Sequence, residues 1–144
     1  MENEEKMKVM FEKAVILASQ VHQGQRDKLG KPYILHPIAV ASLVDDFELK
    51  TIAMLHDTIE DTWVTAEYLL NYGFTKEIVE AVEGVTNPKD GDYEAYLRKV
   101  KSNPKSRLVK LADLAHNTSP EREAGLNDAR RKRYAFAKKF LNEQ

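Results

Sequence analysis

Apolar residues recur at intervals of three and four along almost the whole chain, and this period constrains the fold more than any other feature of the sequence. Such a period places apolar side chains on one face of an α-helix, whereas a half-buried strand alternates apolar and polar residues. The sequence contains no such alternation longer than four residues. It therefore predicts an all-α fold, a compact helical bundle that forms a single domain over residues 1–144. The first apolar stripe consists of Met7, Met10, Phe11, Ala14, Leu17, Ala18 and Val21.

Helix-capping and helix-breaking residues divide this pattern into segments. Gly24 and Gly73 each follow an apolar stripe and stop it, while Thr65 precedes one as a capping residue. Pro37 suits the first position of a helix, because that position leaves its N–H unpaired in any case. The predicted helices cover residues 7–21, 38–47, 49–61, 66–72, 75–85, 93–101, 105–116 and 119–141, and Gly125 is expected to interrupt the last of them.

The composition limits the classes of function. The 144 residues are 42% hydrophobic, which suits one globular domain with a substantial core. A formal net charge of −1 is unlike that of a typical nucleic-acid-binding domain, so we expect no nucleic-acid polymer as a partner. The chain has no cysteine, which excludes disulfides and thiolate metal sites.

No segment of the sequence suggests a membrane. The longest uncharged run, residues 32–44, is too short for a transmembrane helix and contains a histidine and a proline. The first residues are acidic and lack the basic start of a secretory signal. We therefore expect a cytoplasmic protein with no membrane partner, either a monomer or a homodimer.

The predicted helix over residues 49–61 ends in an unusual group of polar residues. Its apolar stripe continues into His56, Asp57 and Glu60, with Asp61 beside them. The three carboxylates repel one another at this spacing, and they lie toward the C-terminal end of the predicted helix, where the helix dipole disfavours anions. A divalent cation would offset both penalties.

Two further residues fit the same cation. Asp113 is flanked by leucine and alanine on both sides, and a buried carboxylate needs a cation or several donors. His36 lies at a loop-to-helix junction. We predict one metal site built from His36, His56, Asp57 and Asp113, whose two nitrogen and two oxygen donors suit Mn²⁺, Fe²⁺ or Zn²⁺ better than Ca²⁺.

Such a site would activate water. A bound cation lowers the pKa of a water molecule and polarises a phosphoryl oxygen, while Glu60 and Asp61 would accept the proton of the water or orient it. The alternative is a purely structural network in which Asp113 pairs with a lysine such as Lys110. His22 and His116 are interpreted as core histidines with structural roles.

Several longer motifs carry a resemblance to a known family. The order His36, His56-Asp57, Asp113 is similar to that of the HD superfamily of metal-dependent phosphohydrolases. The chain most resembles the hydrolase domain of RelA/SpoT-type enzymes and the stand-alone small alarmone hydrolases. The matching stretches are residues 22–25 (HQGQ), 30–37 (GKPYILHP), 55–62 (LHDTIEDT), 84–86 (GVT) and 109–117 (VKLADLAHN).

The resemblance implies a reaction and a site. Enzymes of this kind remove pyrophosphate from the 3′ position of guanosine 5′-diphosphate 3′-diphosphate (ppGpp), usually with Mn²⁺. It implies that His36, His56, Asp57 and Asp113 hold the metal and that Glu60 and Asp61 position the attacking water. The chain length leaves no room for a synthetase domain, so hydrolysis alone is expected.

The resemblance also implies contacts with a small nucleotide substrate. Lys28 and Lys89 match lysines of the family, and Asn117 would contact the ribose. Arg130 and Tyr134 are four residues apart within a basic stretch, and they match positions that hold phosphate or base in stand-alone relatives. The planar guanidinium of arginine suits the recognition of a diphosphate.

One departure from the family pattern concerns the base. Asp27 stands where the long alarmone enzymes carry an arginine that packs on guanine, and Arg26 lies one position earlier. An acidic residue cannot make that cation–π contact. Adenine alarmones or NADPH-like nucleotides are therefore alternative substrates. An inactive metal- or nucleotide-sensing module is a further alternative, although the intact Glu60–Asp61 pair favours a hydrolase.

Overall fold

The computed structural model describes residues 2–143, and within this range the chain folds into ten helices with no strand. The all-α prediction is confirmed. None of the ten helices is both long enough and apolar enough to cross a membrane. The helices are α1 (Glu2–Val21), α2 (Leu35–Ser42), α3 (Phe47–Leu55), α4 (Thr58–Asp61), α5 (Ala66–Tyr72), α6 (Lys76–Val85), α7 (Tyr93–Lys101), α8 (Pro104–Asn117), α9 (Pro120–Glu123) and α10 (Asp128–Asn142).

Many helix ends follow the local chemistry of the sequence. Thr65 and Thr75 accept hydrogen bonds from the backbone N–H groups of Tyr68 and Ile78, which caps α5 and α6 as predicted. Gly73 ends α5 with a φ of 119°, a left-handed conformation that glycine adopts without strain. The predicted break at Gly125 is also confirmed, because α9 ends at Glu123 and α10 begins at Asp128.

Helix α3 lies at the centre of the larger hydrophobic cluster. It packs against α1, α2, α6 and α8, and its residues Ile52, Ala53 and Leu55 are fully buried. A second, smaller cluster joins α7, α8 and α10 through residues such as Leu97 and Leu141. Helix α8 contributes to both clusters, with Val109 and Ala112 in the first and Leu114 in the second. Asp113 therefore lies where the two clusters meet.

Three predicted helices differ in their bounds, and the first of them, α1, begins at Glu2 instead of residue 7. The helix predicted over residues 38–47 is α2, which begins at Leu35 and ends at Ser42, so that Pro37 is its third residue. Asp46 explains the early end, because its side chain accepts a hydrogen bond of 2.7 Å from the N–H of Leu49 and caps α3 instead. The capping hydrogen bond of Asp46 thus competes with an extension of α2 along the apolar stripe.

The third correction concerns the predicted helix over residues 49–61. Helix α3 ends at Leu55, and a turn at His56 and Asp57 separates it from α4. The His56 ring donates to the carbonyl of Ala53 and the Thr58 hydroxyl donates to the carbonyl of Leu55, so side chains bond two carbonyls at the end of α3. The acidic residues consequently belong to a separate short helix, and the predicted penalty from the dipole of a longer helix does not apply.

Gly84 allows α6 and α8 to approach closely. A Cβ atom at this position would lie 3.1 Å from the Cβ of Ser106 and closer still to its hydroxyl oxygen. That hydroxyl cannot move freely, because it is buried and donates a hydrogen bond of 2.8 Å to the carbonyl of Ala81. No residue larger than glycine therefore fits at this contact between α6 and α8 without displacing Ser106.

We expect Gly84→Ala to lower the free energy of unfolding by about 1–2 kcal/mol, measured by urea denaturation. Overpacking costs about 1–3 kcal/mol, and the higher helix propensity of alanine returns up to about 1 kcal/mol of it. The control is Gly91→Ala, since a Cβ at Gly91 meets nothing within 4 Å. Equal stability of the two variants would contradict this account of the α6–α8 contact.

Candidate metal centre and active site

The four predicted metal ligands lie in one cluster, although they come from distant parts of the chain. His36 belongs to α2, His56 and Asp57 form the turn after α3, and Asp113 belongs to α8. Asp113 Oδ1 lies 2.7 Å from His36 Nε2 and 3.3 Å from His56 Nε2. Asp57 Oδ2 lies 3.0 Å from His56 Nε2 and 4.0 Å from His36 Nε2. Ligand atoms around one ion with bonds of about 2.1 Å lie about 3–4 Å apart, so the cluster has the dimensions of a metal site.

The ring of His56 is oriented for metal binding. Its Nδ1 lies 2.6 Å from the carbonyl oxygen of Ala53, which can only accept, so Nδ1 carries the proton. In the neutral ring, Nε2 then presents a lone pair toward the carboxylates of Asp57 and Asp113. This buried Nε2 has no hydrogen-bond partner among the described residues. A lone pair that faces two carboxylates is satisfied either by a proton on one of them or by a cation between them, so the residues present fit a divalent metal.

The pKa shifts within the cluster also favour the binding of a divalent metal. Burial raises the pKa of the Asp57 carboxyl well above its usual range, and the neighbouring Asp113, Asp61 and Glu60 raise it further. The hydroxyl of Tyr33 also donates a hydrogen bond to Asp57 Oδ2. Without a metal ion, this cluster therefore favours a proton on Asp57, and binding of a cation would displace that proton.

Asp113 shows the opposite shift. Burial alone would raise the pKa of Asp113, but the Lys110 ammonium, the hydrogen bond from His36 and the neighbouring His56 ring outweigh it, and the pKa lies well below its usual range. Burial lowers the pKa of His36 to about 4, against the opposing influence of Asp113. A neutral histidine beside an ionised carboxylate is the combination that metal binding requires.

The two oxygens of Asp113 have different partners. Oδ2 accepts a hydrogen bond of 2.8 Å from the buried ammonium of Lys110. Oδ1 faces the histidine rings and accepts a hydrogen bond of 3.2 Å from the Asn117 amide. The ion pair considered in the structural alternative is therefore present, and it leaves the other oxygen directed at the cluster.

Glu60 and Asp61 lie next to the ligands on α4. Asp57, Glu60 and Asp61 each offer a carboxylate oxygen within 4.8 Å of the others. The N–H of Asn87 donates a hydrogen bond of 2.8 Å to Glu60, and the Lys89 ammonium lies 3.8 Å from Glu60 and 3.6 Å from Asp61. The loop after α6 therefore orients the pair that was predicted to act on water.

A single cavity of about 560 Å³ contains all of the predicted site residues in its wall. The metal cluster and the two acidic residues form one side of this cavity. Tyrosine, apolar and basic residues line the rest, and the basic ones include two from α10 and one from α9. The basic lining residues are Arg26, Lys28, Lys89, Lys110, Arg122, Arg130 and Arg133. The cavity thus joins a site for a cation to a surface for anions.

The predicted substrate-binding residues all line this cavity, in different environments. Lys28 is exposed on the loop after α1, and Arg130 and Tyr134 are half-buried, one turn apart on α10. Asn117 lies against Asp113, as described above. Lys89 is mostly exposed, has a positive φ of 66° and pairs with the acidic residues rather than standing alone.

Asp27 has a structural role in the loop that contains Lys28. Its Oδ1 accepts hydrogen bonds of 2.9 Å from the N–H groups of Leu29 and Lys31. Burial would raise the pKa of Asp27, but these two bonds, together with the nearby charges of Arg122 and Lys31, outweigh it and lower the pKa. The carboxylate that replaces the family arginine therefore organises the loop.

Sequence reasoning missed three residues of this site. Tyr33 contacts Asp57, Arg122 lines the cavity, and His116 touches the ring of His36. Tyr33 and His116 fall inside the motifs that carry the resemblance, so closer attention to those motifs could have found them. Arg122 follows no recognisable pattern, because only the turn between α8 and α9 brings it to the cavity.

Comparison with known proteins identifies the family. A family model described as "HD domain" matches residues 14–135. The chain belongs to the HD domain family. A solved structure, described as a metazoan orthologue of SpoT that hydrolyses ppGpp, superposes with a TM-score of 0.75 at 25% identity and covers 92% of this chain and 83% of its own. The helical fold is therefore of the HD type.

Curated relatives agree with this assignment. The chain is 34% identical over 126 residues to a GTP pyrophosphokinase of Myxococcus xanthus. It is also 34% identical over 119 residues to the bifunctional (p)ppGpp synthase/hydrolase SpoT of Escherichia coli K12. These alignments cover 75% and 72% of this chain but only 16% and 17% of the relatives. The predicted resemblance to the HD superfamily and to SpoT-type enzymes is confirmed.

We expect Asp113→Ala to abolish retention of a divalent metal after dialysis, measured by elemental analysis. It removes an oxygen that faces both histidines. Because it also leaves the buried Lys110 ammonium without its partner, Asp113→Asn serves as a second variant, with circular dichroism to check the fold. The control is Asp128→Ala, since the Asp128 side chain is 93% exposed. Metal retention at the unmodified level in both Asp113 variants would exclude this ligand.

Proposed function

We propose that this chain is a metal-dependent phosphohydrolase that removes the 3′-pyrophosphate from ppGpp and its 5′-triphosphate analogue. The observation that carries the proposal is the convergence of His36, His56, Asp57 and Asp113 beside Glu60 and Asp61, in the wall of a cavity that also contains several basic residues. The solved HD-type relative is described as hydrolysing ppGpp, and SpoT of E. coli is named a (p)ppGpp synthase/hydrolase. The proposed chemistry needs one cavity built from residues 26–134, so we propose hydrolysis alone for these 144 residues.

We propose Mn²⁺ as the metal, with Fe²⁺ and Zn²⁺ as alternatives. The donors are two imidazole nitrogens and two carboxylate oxygens, a mixed set that these borderline ions accept. When bound, the ion supplies Lewis-acid chemistry and lowers the pKa of a water molecule. The tautomer of His56 that the Ala53 carbonyl selects is the one that leaves Nε2 available as a ligand.

The acidic pair would handle the proton of the reaction. Water attacks the 3′-linked phosphorus, the bond from that phosphorus to the ribose O3′ breaks, and pyrophosphate leaves. Glu60 or Asp61 would accept the proton that the water loses, and this proton is then available to the ribose oxygen. The Asn87 N–H on Glu60 and the Lys89 ammonium near both carboxylates would hold the pair in place beside the metal cluster.

The basic side of the cavity would bind the phosphates of the substrate. Arg130 and Tyr134 lie one turn apart on α10 and line the cavity together with Lys28. Arg122 adds a guanidinium whose buried Nη1 has no hydrogen-bond partner among residues 2–143. A buried N–H without an acceptor is costly, and a phosphate oxygen would satisfy it.

A second candidate substrate class follows from Asp27. Its carboxylate is bonded within its own loop, so no guanidinium occupies this position for stacking on guanine. The base would instead meet Arg26, Tyr134 or Tyr93, which also line the cavity and accept either purine. Adenine alarmones and NADPH-like 3′- or 2′-phosphorylated nucleotides are therefore the alternatives to test.

The deciding experiment is an assay of the Mn²⁺-loaded protein against a panel of 3′-pyrophosphorylated and 3′- or 2′-phosphorylated guanine and adenine nucleotides. We expect release of pyrophosphate from ppGpp. In the double variant Glu60→Gln, Asp61→Asn we expect the metal to stay bound while turnover falls about a hundredfold or more, because the acid–base groups are lost.

The same panel separates the rival functions. A sensing module would gain thermal stability from Mn²⁺ without product release, and a purely structural domain would gain neither. Unchanged turnover in the double variant would refute the role of the acidic pair. If the protein hydrolyses a 2′- or 3′-monophosphate and leaves ppGpp intact, the second substrate class replaces ppGpp as the proposed substrate.

We expect Arg130→Ala mainly to raise KM, because the lost guanidinium binds the substrate equally well before and during the reaction. Steady-state kinetics on the preferred nucleotide measure this. Arg131→Ala is the matched control, since Arg131 is adjacent, 46% exposed and paired with Asp128 instead of lining the cavity. A fall in kcat at constant KM would place Arg130 in the chemical step.

A further inference from the structure

Three hydrogen-bonded side chains, His36, His116 and Glu121, connect the metal cluster to the protein surface. The Nδ1 atoms of His36 and His116 lie 2.7 Å apart, and the two rings stack with centroids 5.0 Å apart. The other ring nitrogen of His116, Nε2, lies 2.7 Å from a carboxylate oxygen of Glu121. Both histidines are buried, whereas the Glu121 side chain is 61% exposed. Helix α9, which carries Glu121, has no buried residue.

The direction of each hydrogen bond in this network follows from the groups at its two ends. A carboxylate only accepts, so His116 Nε2 carries a proton and donates it to Glu121. Without a metal ion, His36 Nε2 donates to Asp113 Oδ1 at 2.7 Å, because that carboxylate also only accepts. A cation bound by Asp113 would take the place of this proton. With this cation bound and both rings neutral, His116 Nδ1 then accepts, and His36 Nδ1 is the donor. The surface carboxylate thus selects the tautomer of His36 that can bind a metal.

The local sequence presents Glu121 to His116. Ser119 precedes the short helix α9, and Pro120 occupies its first turn, where a proline fits without losing a hydrogen bond. The N–H of Ser119 donates to the carbonyl of His116, which turns the chain back toward the ring. The Glu121 carboxylate therefore reaches the ring of His116, which precedes it in the sequence.

We propose that His116 and Glu121 are positioning residues of the metal centre. They hold the His36 ring in one orientation and one tautomer, and they increase the electron density at Nε2. This inference rests on the proposed function, because it needs His36 to be a ligand. Outer hydrogen-bond partners of this kind typically change metal affinity by about 10- to 100-fold when they are removed. His116 is therefore more than the structural core histidine that the sequence suggested.

The test compares Glu121→Gln with Glu123→Gln. Both residues are exposed acids on α9, so each substitution removes one negative charge from the same short helix, but only Glu121 contacts His116. We expect Mn²⁺ affinity, measured by isothermal titration calorimetry, to fall about tenfold in Glu121→Gln and to stay unchanged in Glu123→Gln. The melting temperature of the metal-free protein should be the same in both variants, because neither side chain is buried.

A second pair of variants tests the histidine itself. Asparagine at position 116 keeps an acceptor oxygen near the place of Nδ1, whereas leucine keeps only the volume. We expect Mn²⁺ affinity to fall in the order unmodified protein, His116→Asn, His116→Leu. With Co²⁺ as a spectroscopic probe, we expect the visible absorption bands of the Leu variant to shift relative to those of the unmodified protein, since the orientation of a ligand ring changes.

The outcomes distinguish this inference from the proposed function. Equal Mn²⁺ affinities of the Glu121 and Glu123 variants, with an unchanged Co²⁺ spectrum in His116→Leu, would overturn the positioning role while leaving the metal site intact. Failure of the unmodified protein to bind Mn²⁺, Fe²⁺, Zn²⁺ or Co²⁺ would overturn the metal site and the positioning role together.

Discussion

The carboxylate of Asp113 is the interaction on which the rest of the site depends. It is buried on α8 between Ala112 and Leu114, which belong to two different hydrophobic clusters. A charge in such a place is stable only if each oxygen is satisfied, and here Lys110 holds one oxygen while the histidines and Asn117 surround the other. The helices that carry these partners must therefore pack in one arrangement, which couples the geometry of the site to the core.

The turn between α3 and α4 shows how local structure serves this arrangement. In a continuous helix, the regular spacing of residues would not bring the side chains of His56 and Asp57 together at the cluster. The turn instead brings Asp57 Oδ2 to within 3.0 Å of His56 Nε2, and it leaves the His56 ring bonded to the Ala53 carbonyl. A helix end with side chains on its carbonyls is a low-cost way to break the regular spacing, because the orphan groups of the terminus are satisfied in any case.

The charges of the cavity explain how a nearly neutral chain can suit a polyanionic nucleotide. The net charge of −1 belongs to the whole chain, whereas the cavity brings together an acidic cluster around Asp57 and basic residues that include Arg122 and Arg130. A divalent cation at the acidic cluster would offset part of its negative charge and increase the excess of positive charge in the cavity. The metal centre and the binding of phosphate therefore depend on one another.

Much of this could be predicted from the sequence. Apolar period, capping threonines and Gly73 determine where most helices lie, because these signals act between residues close in the chain. The unusual setting of Asp113 and the order of the histidines indicated a metal site before any geometry was known. Such chemistry is visible in a sequence because a buried charge among leucines needs a reason.

Only the tertiary structure decided the rest. The ends of α2 and α3 depend on whether a side chain or the next turn bonds a given carbonyl, and the apolar period does not record that competition. Arg122 and Glu121 reach the site through a turn with no apolar pattern of its own. The hydrogen bonds through His116 join residues as far apart in the sequence as His36 and Glu121, and only packing brings His116 to 2.7 Å from each of them. Local forces act along the chain and can be seen in the sequence, whereas these contacts exist only after the helices have packed.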